Sequence, residues 1–354
     1  MTSEAHITAS AKAAVDALVA QGLGWRKVGE HIAALPAAAG PLQRVLAAPR
    51  VADSVATYEK HSDAAEGARD RHKSLASGAA ISGFLVAIIA GVILYIGEKP
   101  TESWRALGLT ALQVVFVLAA LWSAARIMWL KPYRDWNEER SRAEQQRLAH
   151  FRMLLSARET AHAGELPYEA LALEYVRAFL LDDQRNWFTR RAGEFAPILA
   201  RIRGLRLLAI LLIAIAAAPA LLAVLSSGPI DELWPALPGW SDSIAAYLSV
   251  GLAALAGVVG GALQTLVTSL AATSLASRNV ASYTGAANRL AEIAGTPLDD
   301  ARADAARGSS AANGRFWTDL AFELAAENRD WCAAHRIAQL TVLDQMPAGE
   351  LPSR

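Results

Sequence analysis

Four long stretches without a charged side chain constrain this chain more than any other feature. They run over 74–97, 106–125, 207–230 and 243–277. About 20 helical residues suffice to cross the apolar core of a bilayer, and each stretch meets that length. A soluble amphipathic helix of similar length carries a charged stripe on its outer face; these carry none. The expected fold is therefore all-α, an integral membrane protein of four transmembrane helices in two hairpins, with further helical segments outside the lipid.

Basic residues beside the stretches set the expected orientation. Lys60, Arg69, Arg71 and Lys73 precede the first, and Arg126, Lys131, Arg134, Arg140 and Arg142 follow the second. Arg185, Arg190, Arg191, Arg201, Arg203 and Arg206 precede the third, and Arg278 and Arg289 follow the fourth. The connecting loop "EKPTESWR" balances Lys99 and Arg105 against Glu98 and Glu102, and "SSGPIDELWPALPGWSD" has three acids and no base. The bias puts both termini and the middle segment in the cytoplasm and the two loops outside. Trp104, Trp122, Trp129, Trp234 and Trp240 stand near the ends of the stretches, where amphipathic rings favour the interface.

The expected organisation follows. Residues 1–54 form N-terminal cytoplasmic helices, and 55–165 the first hairpin with its cytoplasmic helix. Residues 166–204 form a connecting cytoplasmic helix, 205–340 the second hairpin with C-terminal cytoplasmic helices, and 341–354 a loose tail. The N-terminus has Glu4 and Asp16 and no basic lead-in to an apolar core, so it does not read as a secretory signal; the first eighty residues or so are expected in the mature protein. After the second stretch, Trp136, Ala143, Leu148, Phe151 and Leu155 recur at helical spacing, which predicts one long helix continuing from the span. A further helix is expected to start at Pro167, with Pro197 a kink or break before the third stretch. "GTPLDDARADAARGSSAANG" reads as a loop opened by Thr296–Pro297. The last helix aligns Phe316, Leu320, Leu324 and Trp331 on one stripe, flanked by Glu323 and Glu327.

The chemistry-bearing signals are few. Thirty-four Lys and Arg balance thirty-four Asp and Glu, which gives no argument for nucleic acid as a partner. A single cysteine, Cys332, excludes an internal disulfide framework. There is no phosphate-binding G-x-x-x-x-G-K-[ST] loop, and "GLGWRKVG" lacks dinucleotide-binding spacing. No H-E-x-x-H pattern or G-x-S-x-G elbow occurs, and the seven histidines are scattered. The expectation is a protein that is not an enzyme, with no cofactor, metal or catalytic residue.

The fourth stretch is unlike the others. "GVVGGALQTLVTSLAATS" combines glycines with Gln264, Thr265, Thr268, Ser269, Thr273 and Ser274. Ala253, Gly257 and Gly261 repeat every four residues, and Gln264 and Thr268 follow on nearly the same face. Small residues let another helix approach closely. Threonine and serine can bond to the preceding turn's carbonyl, whereas Gln264 needs a partner or water. Gly257, Gly261, Gln264 and Thr268 are thus candidates either for a helix-packing seam or for lining a polar path. As one helix, thirty-five residues would measure about 52 Å against a core of about 30 Å. The polar end is therefore expected to leave the lipid.

Paired spans, a basic lead-in "RDRHKSLASGAA", and the segment "WNEERSRAEQQRLAHF" (136–151) resemble the SLATT family, bacterial two-transmembrane effector domains. The second half, with "ASYTGAANRLAEIAG" and "FWTDLAFELAAENRDW", is similar to a related uncharacterised membrane domain, with Tyr283, Leu290, Glu323, Glu327 and Trp331 at the expected places. The resemblance covers roughly residues 55–340, and this chain departs from the family in carrying two hairpins and no recognisable sensor domain. It implies a homo-oligomeric, pore-forming effector of antiviral defence in the bacterial inner membrane. A partner sensor protein or its nucleotide second messenger would be the trigger. Trp136, Arg140, Arg147, Glu323, Glu327 and Trp331 are the expected cytoplasmic gating residues. The rival expectation is a non-conducting membrane scaffold that docks a soluble cytoplasmic partner.

Overall fold

A computed structural model describes residues 3–96, 104–226, 250–274, 276–309 and 311–334. Every regular element among these residues is helical. In chain order they are α1 (Ser3–Ala20), α2 (Val28–Ala34), a short 3-10 turn (Ala37–Ala39), α3 (Gly40–Leu46), α4 (Pro49–Ile96), α5 (Trp104–Leu130) and α6 (Pro132–Ser156). Then follow α7 (Tyr168–Val176), a π-helical turn (Arg177–Asp182), α8 (Asp183–Ser226), α9 (Val250–Ser274), α10 (Ala276–Ile293), α11 (Thr296–Ala306) and α12 (Ala311–Ala334). The two loops between the paired stretches, residues 243–249 and the tail 341–354 lie outside the described residues, as do the side chains of Ala253 and Trp331.

Prolines punctuate this order mainly at helix starts. Pro41, Pro49, Pro132 and Pro297 stand in the first turn of α3, α4, α6 and α11, and Pro167 caps α7. Their fixed φ and missing N–H cost nothing there, since first-turn N–H groups have no partner within the helix. The segment expected to be a loop after Thr296–Pro297 is therefore the helix α11. It ends where Gly308, at φ +73°, turns the chain and donates to the Ala305 carbonyl at 3.0 Å. Pro197 does not end α8, which continues as helix to Ser226. The one bond it forgoes, to the carbonyl of Gly193, lies on an exposed side where water can replace it.

One further expectation is corrected. α6 does not continue from α5: Lys131 sits between them at φ +43°. Pro132 disfavours the right-handed helical conformation for the residue before it, so the helix breaks at Lys131 and restarts at Pro132. α6 ends at Ser156, one residue past the last apolar position of its stripe. The irregular segment beyond it is tied down by Arg44, which donates to Glu159 at 2.8 Å, to Glu165 at 2.9 Å and to the Thr160 carbonyl at 3.0 Å. The hydrogen bond from Arg44 holds the Glu165 carboxyl down to about 2.

The chain forms two compact units, each assembled from separated segments. The first comprises Met1–Arg69, Tyr133–Glu194 and Arg278–Arg354; the second comprises Asp70–Pro132 and Phe195–Ser277. In the first unit α7 is the hub, packing on α1, α3 and α11, with α11 in turn on α12. Its apolar sequence "YEALALEYV" is buried on all sides. An aromatic layer joins the elements: Trp25 lies against Tyr58, His150 and Phe151, and Tyr175 against Phe179 and His31.

The second unit has a small interior made of Ile202, Ala209, Leu263 and Val267, with Phe84, Leu205 and Leu212 against it. Most of its large apolar side chains point outward instead. Trp104 is 79% exposed and Leu207 68%, and Leu118, Leu121, Trp122 and Trp129 are exposed as well. Among the described residues, two helices, α4 and α5, are long and apolar enough to cross a membrane. Leu255–Thr268 forms a shorter apolar stretch within α9.

Candidate functional site

In the second unit the glycines of α9 do hold a close helix contact, but on a face rotated from the expected one. A methyl group on Gly260 would stand 2.9 Å from Cγ1 of Ile213 and 3.1 Å from the Ala209 carbonyl. One on Gly257 would lie 3.2 Å from Cβ of Ala216. These distances make α8 and α9 near neighbours at backbone level, the contact that small residues permit in apolar surroundings. Gly260, Leu263 and Val267 form the buried line. Gly261, picked out by its four-residue spacing, faces open space. The contact face thus keeps Gly257, as expected, but turns from it toward Gly260 instead of Gly261.

The other side of α9 carries Gly261, Thr265 and Thr268, all exposed within one chain. Thr265 donates to the Gly261 carbonyl at 3.0 Å and Thr268 to the Gln264 carbonyl at 2.8 Å, so both hydroxyls are satisfied by their own helix. Gln264 sits half-buried at the border of the two faces, and its Oε1 is enclosed with no hydrogen-bond partner among the described residues. The side chains of Ser269, Thr273 and Ser274 lie outside the described residues.

In the first unit three of the expected gating residues come together. Arg140 and Arg147 on α6 face Glu327 on α12, with Nη2 of Arg140 3.9 Å from Oε1 of Glu327. Arg140 also bonds to the Tyr283 hydroxyl on α10, and Arg147 pairs with Glu144. One residue on along each helix, buried Asn328 donates to the Ser141 hydroxyl at 3.2 Å. Burial pushes the Glu327 carboxyl up, against the opposing pull of Arg140 and Arg147. Glu323 lies outside this cluster and pairs with Arg289 on α10. Trp136 is half-buried, edge-on to Tyr133 at 5.6 Å.

A second polar cluster had not been expected. Glu174 on α7 is 1% exposed and is gripped from two sides. Arg177 donates from Nε at 2.5 Å, and Arg302 on α11 from Nε at 2.6 Å and Nη2 at 3.3 Å. Arg177 extends to Asp182 at 2.7 Å and to Asp16 on α1. Burial works against the Arg177 charge, but the bonds to Asp16 and Glu174 outweigh it and hold the guanidinium above its ordinary value. The signal was available in "ALALEYVRAFLL" (170–181), where one acid and one base three residues apart interrupt an otherwise apolar run. Buried charges are paired when they persist.

Two histidines are also buried: His31, with Nδ1 2.8 Å from the Tyr175 hydroxyl, and His150, with Nδ1 2.7 Å from the Ser54 hydroxyl. Burial pushes each down to about 4, so both are neutral at pH 7. Among the described residues no three His, Cys, Asp or Glu side chains converge as a metal-ligand set. No protein-family model matches the chain, and no curated protein or solved structure is detectably similar to it.

Proposed function

We propose that the chain is a four-span protein of the bacterial inner membrane, with both termini in the cytoplasm. Its copies assemble through the polar face of α9 to form or gate a path for ions or small solutes. The observation that carries this reading is the Gly261–Thr265–Thr268 line. It is exposed within one chain and polar in an apolar helix, and it borders a Gln264 amide oxygen that has no partner. A hydroxyl-lined helix face with an unsatisfied amide suits another helix or water better than acyl chains. The Arg140–Glu327 cluster on the first unit supplies the buried charges whose rearrangement would accompany opening. The resemblance to SLATT domains supports a role in antiviral defence downstream of a sensor or nucleotide signal.

Purified protein reconstituted in liposomes tests the reading. With Cys332→Ser as background, Thr268→Cys is expected to cross-link copy to copy. Gln264→Leu is expected to change ion flux without abolishing assembly. Ion-tight vesicles containing confirmed oligomers, with Glu327→Gln also silent, would remove pore formation. The scaffold reading then takes over. It draws on an open groove of about 300 Å³ on the first unit, lined by Ile293, Pro297, Phe322 and the Arg289–Glu323 pair.

A further inference from the structure

Many arginines in this protein sit beside carboxylates, and α8 shows the contrast within one helix. Arg190 and Arg191 share Glu194. Beyond it, Arg201, Arg203 and Arg206 are all exposed, no acid occurs in α8 from Phe195 to Ser226, and among the described residues none of the three forms an ion pair. Their position is specific. Ile202 and Ala209 fix the inward side of the helix. Arg203 and Leu207 are one turn apart on the outward side, and Ile210 and Leu211, both more than half exposed, continue the line. A cation therefore heads an uncovered apolar track.

α5 repeats the arrangement with opposite chain direction. The guanidinium of Arg126 lies 5.6 Å from the centre of the Trp122 ring. Trp122, Leu118 and Val115 then run back along one side of the helix, each about 60% exposed. On both helices of this unit the charge stands at one end and the apolar track leads away from it.

A soluble anion would satisfy the guanidinium and leave the track in water. A detergent-like apolar ligand would cover the track and leave the charge unpaired. An amphiphile with a phosphate at one end and an acyl chain at the other matches both. Guanidinium engages phosphate through two parallel hydrogen bonds, and arginines at the cytoplasmic end of spans attract anionic headgroups. In a zwitterionic headgroup the ammonium offsets the phosphate charge, which weakens that attraction. We infer that the Arg203–Leu207–Ile210 line of α8 and the Arg126–Trp122–Leu118 line of α5 are binding tracks for anionic glycerophospholipid. This inference rests on the membrane reading above and adds the headgroup charge that the protein selects.

The test uses the full chain in nanodiscs of phosphatidylcholine with one fifth phosphatidylglycerol, with co-purifying lipid quantified after transfer to detergent. Phosphatidylglycerol is expected to be enriched over its bulk fraction. Arg203→Gln and Arg126→Gln should each reduce that enrichment about fivefold, the value of one basic charge near an anionic surface. Arg203→Lys should keep part of it, and Arg190→Gln, whose parent is already ion-paired, should keep all of it. Enrichment unchanged in both glutamine variants would overturn the inference. So would competition by millimolar glycerol phosphate, because the headgroup alone would then be what is bound. Resistance of wild type and variants to carbonate extraction is measured in parallel. Release of the wild-type chain would sink the membrane reading itself, and with it the tracks.

Discussion

In the first unit charge goes inward: Glu174 and Glu327 are buried, and four arginines reach them from α6, the π-helical turn and α11. In the second unit the interior is a few aliphatic side chains and a glycine contact, while tryptophans and leucines face out. Both are built from helices alone. On the membrane reading proposed above, the difference is one of solvent, which determines what a helix must hide. In water, apolar surface is the large driving term, and a domain can bury a few charges provided each is paired. In lipid, apolar surface is free to be exposed, and close backbone packing becomes the cohesive term. The polar groups that matter therefore lie inside the first unit and on the flank of α9 in the second.

The largest expected effect tests the first half of this contrast. Glu174→Ala leaves Arg177 and Arg302 without their shared buried partner and should cost about 3–5 kcal/mol. Chemical denaturation of the detergent-solubilised chain measures it. Glu174→Gln, which keeps the shape and two polar atoms, should cost less. An alanine variant as stable as wild type would mean that Asp16 and Asp182, with Asp299, which accepts from Arg302 at 3.1 Å, alone satisfy the two arginines.

Acidification comes next. His31 and His150 are held neutral at about 4, below the ordinary value of 6.5. The unfolded chain binds these two protons first, so stability is full above pH 6.5 and falls as pH drops from 6.5 toward 4. The loss should approach roughly 3 kcal/mol for each histidine. Melting curves between pH 7.5 and 4.5 follow it, and His150→Leu should flatten the dependence by about half. A curve that is level across this window in wild type would contradict the burial of both rings.

The smallest effect distinguishes adjacent glycines in the second unit. Gly260→Ala drives a methyl group into Ile213 and should cost about 1–3 kcal/mol. Gly261→Ala meets open space and, through better helix propensity, should be neutral or stabilising by up to about 1 kcal/mol. Unfolding in dodecyl sulfate compares the two. Equal effects would mean that the α8–α9 approach is looser than the distances state.

The helical class and the positions of the long apolar helices α4 and α5 were legible because a charge-free run of twenty residues has few other solutions. Spacing identified α6 and α12, and the family resemblance named Arg140, Arg147 and Glu327 individually. Neither could show that they meet, because partners nearly two hundred residues apart leave no local trace. α11 was missed for a different reason: a proline after threonine reads as a breaker when the first turn it initiates is polar. Spacing placed Gly261 on the stripe but did not single out Gly260 as the glycine that closes on α8. A four-residue repeat gives the phase of a stripe, but which side of that stripe meets α8 is decided by Ile213 and Ala209, outside α9. Asn137, Ser141 and His150 look like a solvated flank of α6 and are buried, since the helices that cover them come from other parts of the chain.

The wide turn at Arg177–Asp182 has a genetic consequence. A π-helical turn holds one residue more than the α-helix around it, so it acts as an indexing notch between α7 and α8. Excising a single codon there would let the backbone close into regular helix with its ladder intact, yet swing everything downstream by about 100°. Phe188 would then be carried away from Tyr283, its neighbour at 5.6 Å. Length polymorphism at this notch is thus a coarse steering control, and descendants of this sequence are expected to conserve its residue count more strictly than its residue identities.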